Sequence, residues 1–195
     1  MATPRSLARL GLLPLLSLLV ACGKRGPEGE PQPAPSASAI TLGAAIGKCD
    51  DVALCERECD AGSADRCRRL AATYSFGQGA DRDEARATDL YTRACRMKDA
   101  PSCVFAGQMH EYAHGVPKDV AKAAGFYREA CDMGWPAGCY NLGIMYENGR
   151  GVPPDRAKAA DLYQVTCAAG AKTACEKAAE MRRPASGSTA DAGAP

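Results

Sequence analysis

From Cys59 to Cys175 one arrangement of apolar, small and polar positions recurs every 36 residues. Aligned on cysteines 67, 103 and 139, three stretches read Cys67-Arg68-Arg69-Leu70-Ala71, Cys103-Val104-Phe105-Ala106-Gly107 and Cys139-Tyr140-Asn141-Leu142-Gly143. Small residues return at 71, 107 and 143, where they let a neighbouring helix approach closely. A turn centred on Gly79, Gly115 and Gly151 follows, and glycine there supplies the left-handed backbone that ends a helix. Asp83, Asp119 and Asp155 then stand where an acidic side chain caps a helix start. The next run carries Ala85, Ala121 and Ala157, then Leu90, Phe126 and Leu162, then Tyr91, Tyr127 and Tyr163, which predicts a packed helix. Each unit therefore reads as a helix hairpin that buries its apolar face only against the next copy, the mark of a solenoid.

The fold class is all-α. The repeat domain is expected over 46–183: an N-terminal cap over 46–58, three full repeats over about 59–166, and a C-terminal cap helix over 167–183. In the last copy Glu176, Lys177, Glu180, Arg182 and Arg183 make the helix more polar than its equivalents, as suits a terminal unit facing water.

The ends of the chain have another character. Arg5 and Arg9 precede an apolar run from Leu10 to Val20, the layout of an export signal over residues 1–21. Leu19-Val20-Ala21-Cys22 resembles the bacterial lipobox, which implies lipidation of Cys22; a plain secretory signal with an incidental thiol is the competing account. By resemblance to lipoprotein sorting rules, Gly23 after the cysteine favours the outer membrane, facing periplasm or exterior. Residues 22–45 and 184–195, rich in Pro, Gly, Ala and Ser, read as a tether and a tail that cannot bury enough apolar surface to order.

A formal charge of +1 over 195 residues gives no electrostatic reason to expect nucleic acid. Eleven cysteines change the picture more, since they imply metal ligation or an oxidising compartment. In each pair the first cysteine falls in the last turn of one helix and the second in the first turn of the next, facing it across the turn. Bridges Cys59–Cys67, Cys95–Cys103, Cys131–Cys139 and Cys167–Cys175 are expected on that ground. Cys49 and Cys55 would form a fifth, though six residues apart they lie on different faces of a straight helix, so the cap must be irregular. Cys-x7-Cys does not match the ligand spacing of structural zinc. No metal and no cofactor is expected.

His110-Glu111-Tyr112-Ala113-His114 satisfies the His-Glu-x-x-His pattern of zinc proteases. The repeat register argues against it, because His114 adjoins the turn at Gly115, where the helix should end. Trp135, the one tryptophan, reads as a cover over the adjacent helix pair or as a contact residue. No familiar nucleophile motif is present. Binding is the better supported function class: stacked pairs build a concave face from their first helices. Arg69, Gln108, Tyr140 and Asn141 are the candidate residues there, with ordinary solvated surface as the competing account.

The run from Tyr140 to Val152, followed by Asp155, Lys158-Ala159-Ala160, Leu162-Tyr163 and Cys167, resembles the Sel-1-like repeat, a relative of the tetratricopeptide repeat. The 36-residue period with Cys-x7-Cys is similar to the cysteine-rich Hcp family, also called Hcp-like beta-lactamases. The resemblance implies a right-handed alpha solenoid with one disulfide per repeat. The first expectation for function is a lipid-anchored envelope scaffold binding a peptide, protein or cell-wall component; the alternative, implied by the resemblance, is a hydrolase or penicillin-binding protein acting on beta-lactams. The resemblance transfers no catalytic residue.

Overall fold

The computed structural model describes residues 49–183. The expected signal segment 1–21, Cys22, the expected tether over 22–45 and the expected tail over 184–195 lie outside them. The described residues form eight α-helices and no strand: α1 Val52–Asp60, α2 Ala64–Phe76, α3 Glu84–Arg96, α4 Ala100–Tyr112, α5 Val120–Asp132, α6 Pro136–Asn148, α7 Arg156–Ala168 and α8 Lys172–Arg182. Each packs on the next in chain order, and α4 also touches α6. The result is a solenoid of helix pairs.

The second helix of each pair begins on its aspartate. Asp83, Asp119 and Asp155 accept from the backbone N–H of Arg86, Lys122 and Lys158 at 2.9, 2.8 and 2.9 Å. Each bond satisfies one of the unpaired donors of a helix start and is worth about 1 kcal/mol. Asp51 and Asp99 do the same for α1 and α4.

The first helices end two residues earlier than the turn glycines suggest. The left-handed residues that stop α2, α4 and α6 are Gly77, Ala113 and Gly149. Gly115 and Gly151 are needed for a different reason. A Cβ on Gly115 would stand 2.2 Å from the Glu84 carbonyl carbon, and one on Gly151 2.2 Å from the Val120 carbonyl oxygen. Each turn thus rests directly on the first backbone of the preceding unit's second helix.

The three repeat tyrosines are the largest fully buried side chains. Leu90 and Phe126 are buried as expected, but Ala85, Ala121 and Ala157 are exposed, and the alanines inside are Ala87, Ala123 and Ala159. The expected face was displaced by two residues, which rotates a helix position by about half a turn. Trp135 is half-buried and packs against the main core.

All ten cysteines of the described residues are paired. Cys59–Cys67, Cys95–Cys103, Cys131–Cys139 and Cys167–Cys175 have Cα–Cα separations of 4.7, 4.6, 4.5 and 4.6 Å. Each ties the end of one helix to the start of the next. Cys49 pairs with Cys55 at a Cα–Cα distance of 6.2 Å. It can do so because it precedes α1 rather than lying on it. Five disulfides place the domain in an oxidising, extracytoplasmic setting.

Candidate functional site

Two of the repeat tyrosines are held by a matching set of partners. The Tyr127 hydroxyl donates to Glu111 Oε2 at 2.6 Å, while Arg150 pairs with Glu111 Oε1 at 2.7 Å. One repeat further, the Tyr163 hydroxyl donates to Glu147, and Lys177 Nζ lies 2.9 Å from the same carboxylate. Burial, reinforced by the glutamate hydrogen bond, pushes both phenols well above their ordinary range. Burial also pushes the Glu147 carboxyl up, but Tyr163 and the Lys177 ammonium outweigh it, so its pKa falls below the ordinary value. The rings lie flat against glycine: a Cβ on Gly107 would come within 2.6 Å of Tyr127 Cε1, and one on Gly143 within 2.8 Å of Tyr163 Cε1.

The first repeat breaks this set at three places. Ala71 stands where Gly107 and Gly143 stand, Ser75 where Glu111 and Glu147 stand, and His114 where Arg150 stands. A ring seated as in the later repeats would collide with the Ala71 methyl. Tyr91 instead stacks on Phe105, with centroids 4.9 Å apart, and its hydroxyl has no hydrogen-bond partner among the described residues. Beside it is a cavity of about 410 Å³ whose wall includes Ser75, Tyr91, Phe105 and Gln108. Phe76 and Tyr112, 47% and 58% exposed, flank it. Arg82, Glu84 and His114 add polar groups to the wall: Arg82 pairs with Glu84, and His114 Nδ1 lies 3.5 Å from the same carboxylate.

Of the four residues singled out on the first helices, only Gln108 lines this cavity. Arg69 is bound to Asp65 at 2.7 Å on α2. Tyr140 tilts against Tyr163, with centroids 5.5 Å apart, and Asn141 is half-buried on α6. Sequence reasoning missed Ser75, Tyr91 and Phe105 as site residues. The available signal was serine at a register position that is otherwise glutamate.

The His-Glu-x-x-His stretch is dismantled by its surroundings. His110 is buried and stacks on Phe126 at 5.6 Å; burial, then the nearby Lys122, lower its pKa. Glu111 is committed to Tyr127 and Arg150, and α4 ends at Tyr112, before His114. The one group of three potential metal ligands brought together among the described residues is Cys95, Cys103 and Glu129, and its two sulfurs are bonded to each other.

A stack of equal helix pairs, each clipped to the next, defines an α-solenoid scaffold. This chain belongs to the Sel1 repeat family, which matches it at residues 67–99, 100–135 and 136–170, more than half its length. Among solved structures it is similar to c5321, an SLR-fold protective antigen of uropathogenic Escherichia coli, at 27% identity and a TM-score of 0.61 over 64% of this chain and 27% of that one. A Sel1 repeat protein of Oxalobacter formigenes matches at 26% identity and a TM-score of 0.61, covering 67% of this chain and 98% of that one. Helicobacter pylori cysteine rich protein B, at 24% identity, a TM-score of 0.52 and coverage of 64% and 90%, shares the fold. The chain spans about a quarter of the length of c5321. No curated protein matches it.

Proposed function

We propose that the protein is a lipid-anchored scaffold of the bacterial envelope, held through Cys22, that binds a peptide or protein partner through its first helices. Sel1-repeat scaffolds commonly bind proteins, which supports the partner class. The observation that carries the reading is the open tyrosine site on α2, α3 and α4, a concave, aromatic-walled opening in a fold whose other two tyrosine sites are filled by its own side chains. Recognition pockets have this make-up, mostly apolar walls with a few polar groups that fix orientation. Gln108 sits in that wall; Arg69, Tyr140 and Asn141 extend the surface along the neighbouring first helices.

The test is a pull-down from envelope extract with the oxidised protein. Retention of a discrete partner, lost on Gln108→Ala with Tyr140→Ala, is expected. Turnover of a chromogenic beta-lactam without any retained partner would replace the scaffold with a hydrolase. Mass spectrometry of protein exported by a bacterial host checks the anchor: acylated Cys22 at the new N-terminus is expected, and unmodified Cys22 would remove it.

A further inference from the structure

The later repeats show what chemistry completes a tyrosine site in this fold. At Tyr127 and Tyr163 the hydroxyl is met by a carboxylate that reaches in from four residues beyond the small residue under the ring: Glu111 after Gly107, and Glu147 after Gly143. A cation then pairs with that carboxylate, Arg150 on the oxygen away from the phenol in one case and Lys177 across both oxygens in the other. At Tyr91 the same offset from Ala71 reaches Ser75, whose side chain is too short to accept from the phenol across that distance and leaves a cavity of about 410 Å³. The phenol is otherwise as deeply buried as its equivalents, with the ring 1% exposed. The Tyr91 hydroxyl has no protein acceptor but keeps access to solvent at the cavity, and a donor on a pocket wall is bound most strongly by a charged acceptor. A guanidinium and an imidazole are present too: Arg82 and His114 line the cavity, both beside the Glu84 carboxylate. Two of the four exposed large apolar side chains of the described residues, Phe76 and Tyr112, stand at this same opening.

We infer that the Tyr91 cavity takes a carboxylate flanked by apolar side chains, supplied by a bound peptide, which replaces the glutamate this repeat lacks. The carboxylate accepts from the Tyr91 hydroxyl and is faced by His114 and Arg82, while the neighbouring apolar residues cover Phe105, Phe76 and Tyr112. The chemistry admits two sources, a glutamate within the peptide or the free carboxylate at its end. This assignment rests on the scaffold reading above and names the class of ligand for one part of that surface.

The experiment is calorimetric titration of the full oxidised protein with four capped probes. Two are a pentapeptide with glutamate between phenylalanines and its glutamine twin; two are a tripeptide ending in phenylalanine, with the end carboxylate free or amidated. At least one acid should bind roughly ten-fold or more tightly than its neutral twin, the scale of one charge-assisted hydrogen bond. The member that discriminates identifies the source. Ser75→Glu supplies the missing carboxylate from within the chain and should abolish that preference. Tyr91→Phe, which conserves ring volume, should also abolish it and remains informative if Ser75→Glu does not fold. Equal binding of acid and neutral probes, no binding of any probe up to about 5 mM, where affinity is too weak for recognition, or an unaltered preference in Tyr91→Phe overturns the assignment. In those cases a partner still retained from envelope extract would leave the scaffold reading standing.

Discussion

The first repeat and the two that follow share a backbone plan and differ in how tightly it is closed. At Gly115 and Gly151 the turn lies directly on the preceding unit's helix start, whereas a Cβ on Gly79 would meet nothing nearer than the Cys49 carbonyl oxygen at 3.7 Å. Tyr127 and Tyr163 are bound by carboxylates, and Tyr91 is not. One period therefore serves two ends. Where glycine and glutamate are kept, the repeat binds its own tyrosine, and where they become alanine and serine, the same architecture leaves the tyrosine hydroxyl without a protein partner beside a pocket.

The largest effect that would test this contrast is steric. Gly115→Ala should cost roughly 3 kcal/mol or more, since a Cβ would overlap backbone and the residue's φ of +68° also disfavours a side chain. Gly79→Ala, with space around it, should cost about 1 kcal/mol from the left-handed backbone alone. Chemical denaturation of both variants checks the difference, and equal losses would mean the first turn is as tightly seated as the second. Next comes the covalent clip. Replacing Cys131 and Cys139 together by serine should lower stability by about 2.5 kcal/mol, the loop-closure entropy for nine residues, read from the denaturation midpoint.

A smaller effect separates the tyrosines themselves. Tyr127→Phe leaves Glu111 buried with only Arg150 and should cost about 1–2 kcal/mol, while Tyr91→Phe removes no hydrogen bond and should change stability by under about 0.5 kcal/mol. Thermal melts of the two variants suffice. The smallest is a pH effect. Because the folded Glu147 carboxyl has a pKa below its ordinary value of 4.5, it adds stability that is full above that value. The contribution is lost as pH falls through the folded value. Glu147→Gln should flatten the acid limb of the stability curve below about pH 4.5, and an unchanged limb would show that the Tyr163 set is not held by charge.

Much of this was legible in the sequence because periodicity reports burial and turns directly. The helix pairs, the aspartate caps at Asp83, Asp119 and Asp155, and the expected breakdown of His110 to His114 as a metal motif follow from register. The exact cap residue did not, since Gly77, Ala113 and Gly149 are not all glycine and Ala113 adopts φ +62° without it. The buried alanine face was misplaced because alanine is frequent on both sides of these helices, so its spacing carries little phase information. The pocket was hidden for a different reason. Gln108 stood out as polar and variable, but Tyr91 looked like core, and it is core. What opens a cavity beside it is a glutamate missing from another helix, which only the packed structure brings close.

The cysteine clips bear on how the molecule is made. Ten cysteines admit far more pairings than the 105 open to eight; here each bridge joins a cysteine to the next one along the chain, from Cys49–Cys55 through Cys167–Cys175. A polypeptide entering an oxidising compartment from its N-terminus therefore meets its native partner thiols in order of arrival. The covalent pattern is written into the direction of synthesis, so oxidation can proceed vectorially and calls for little reshuffling.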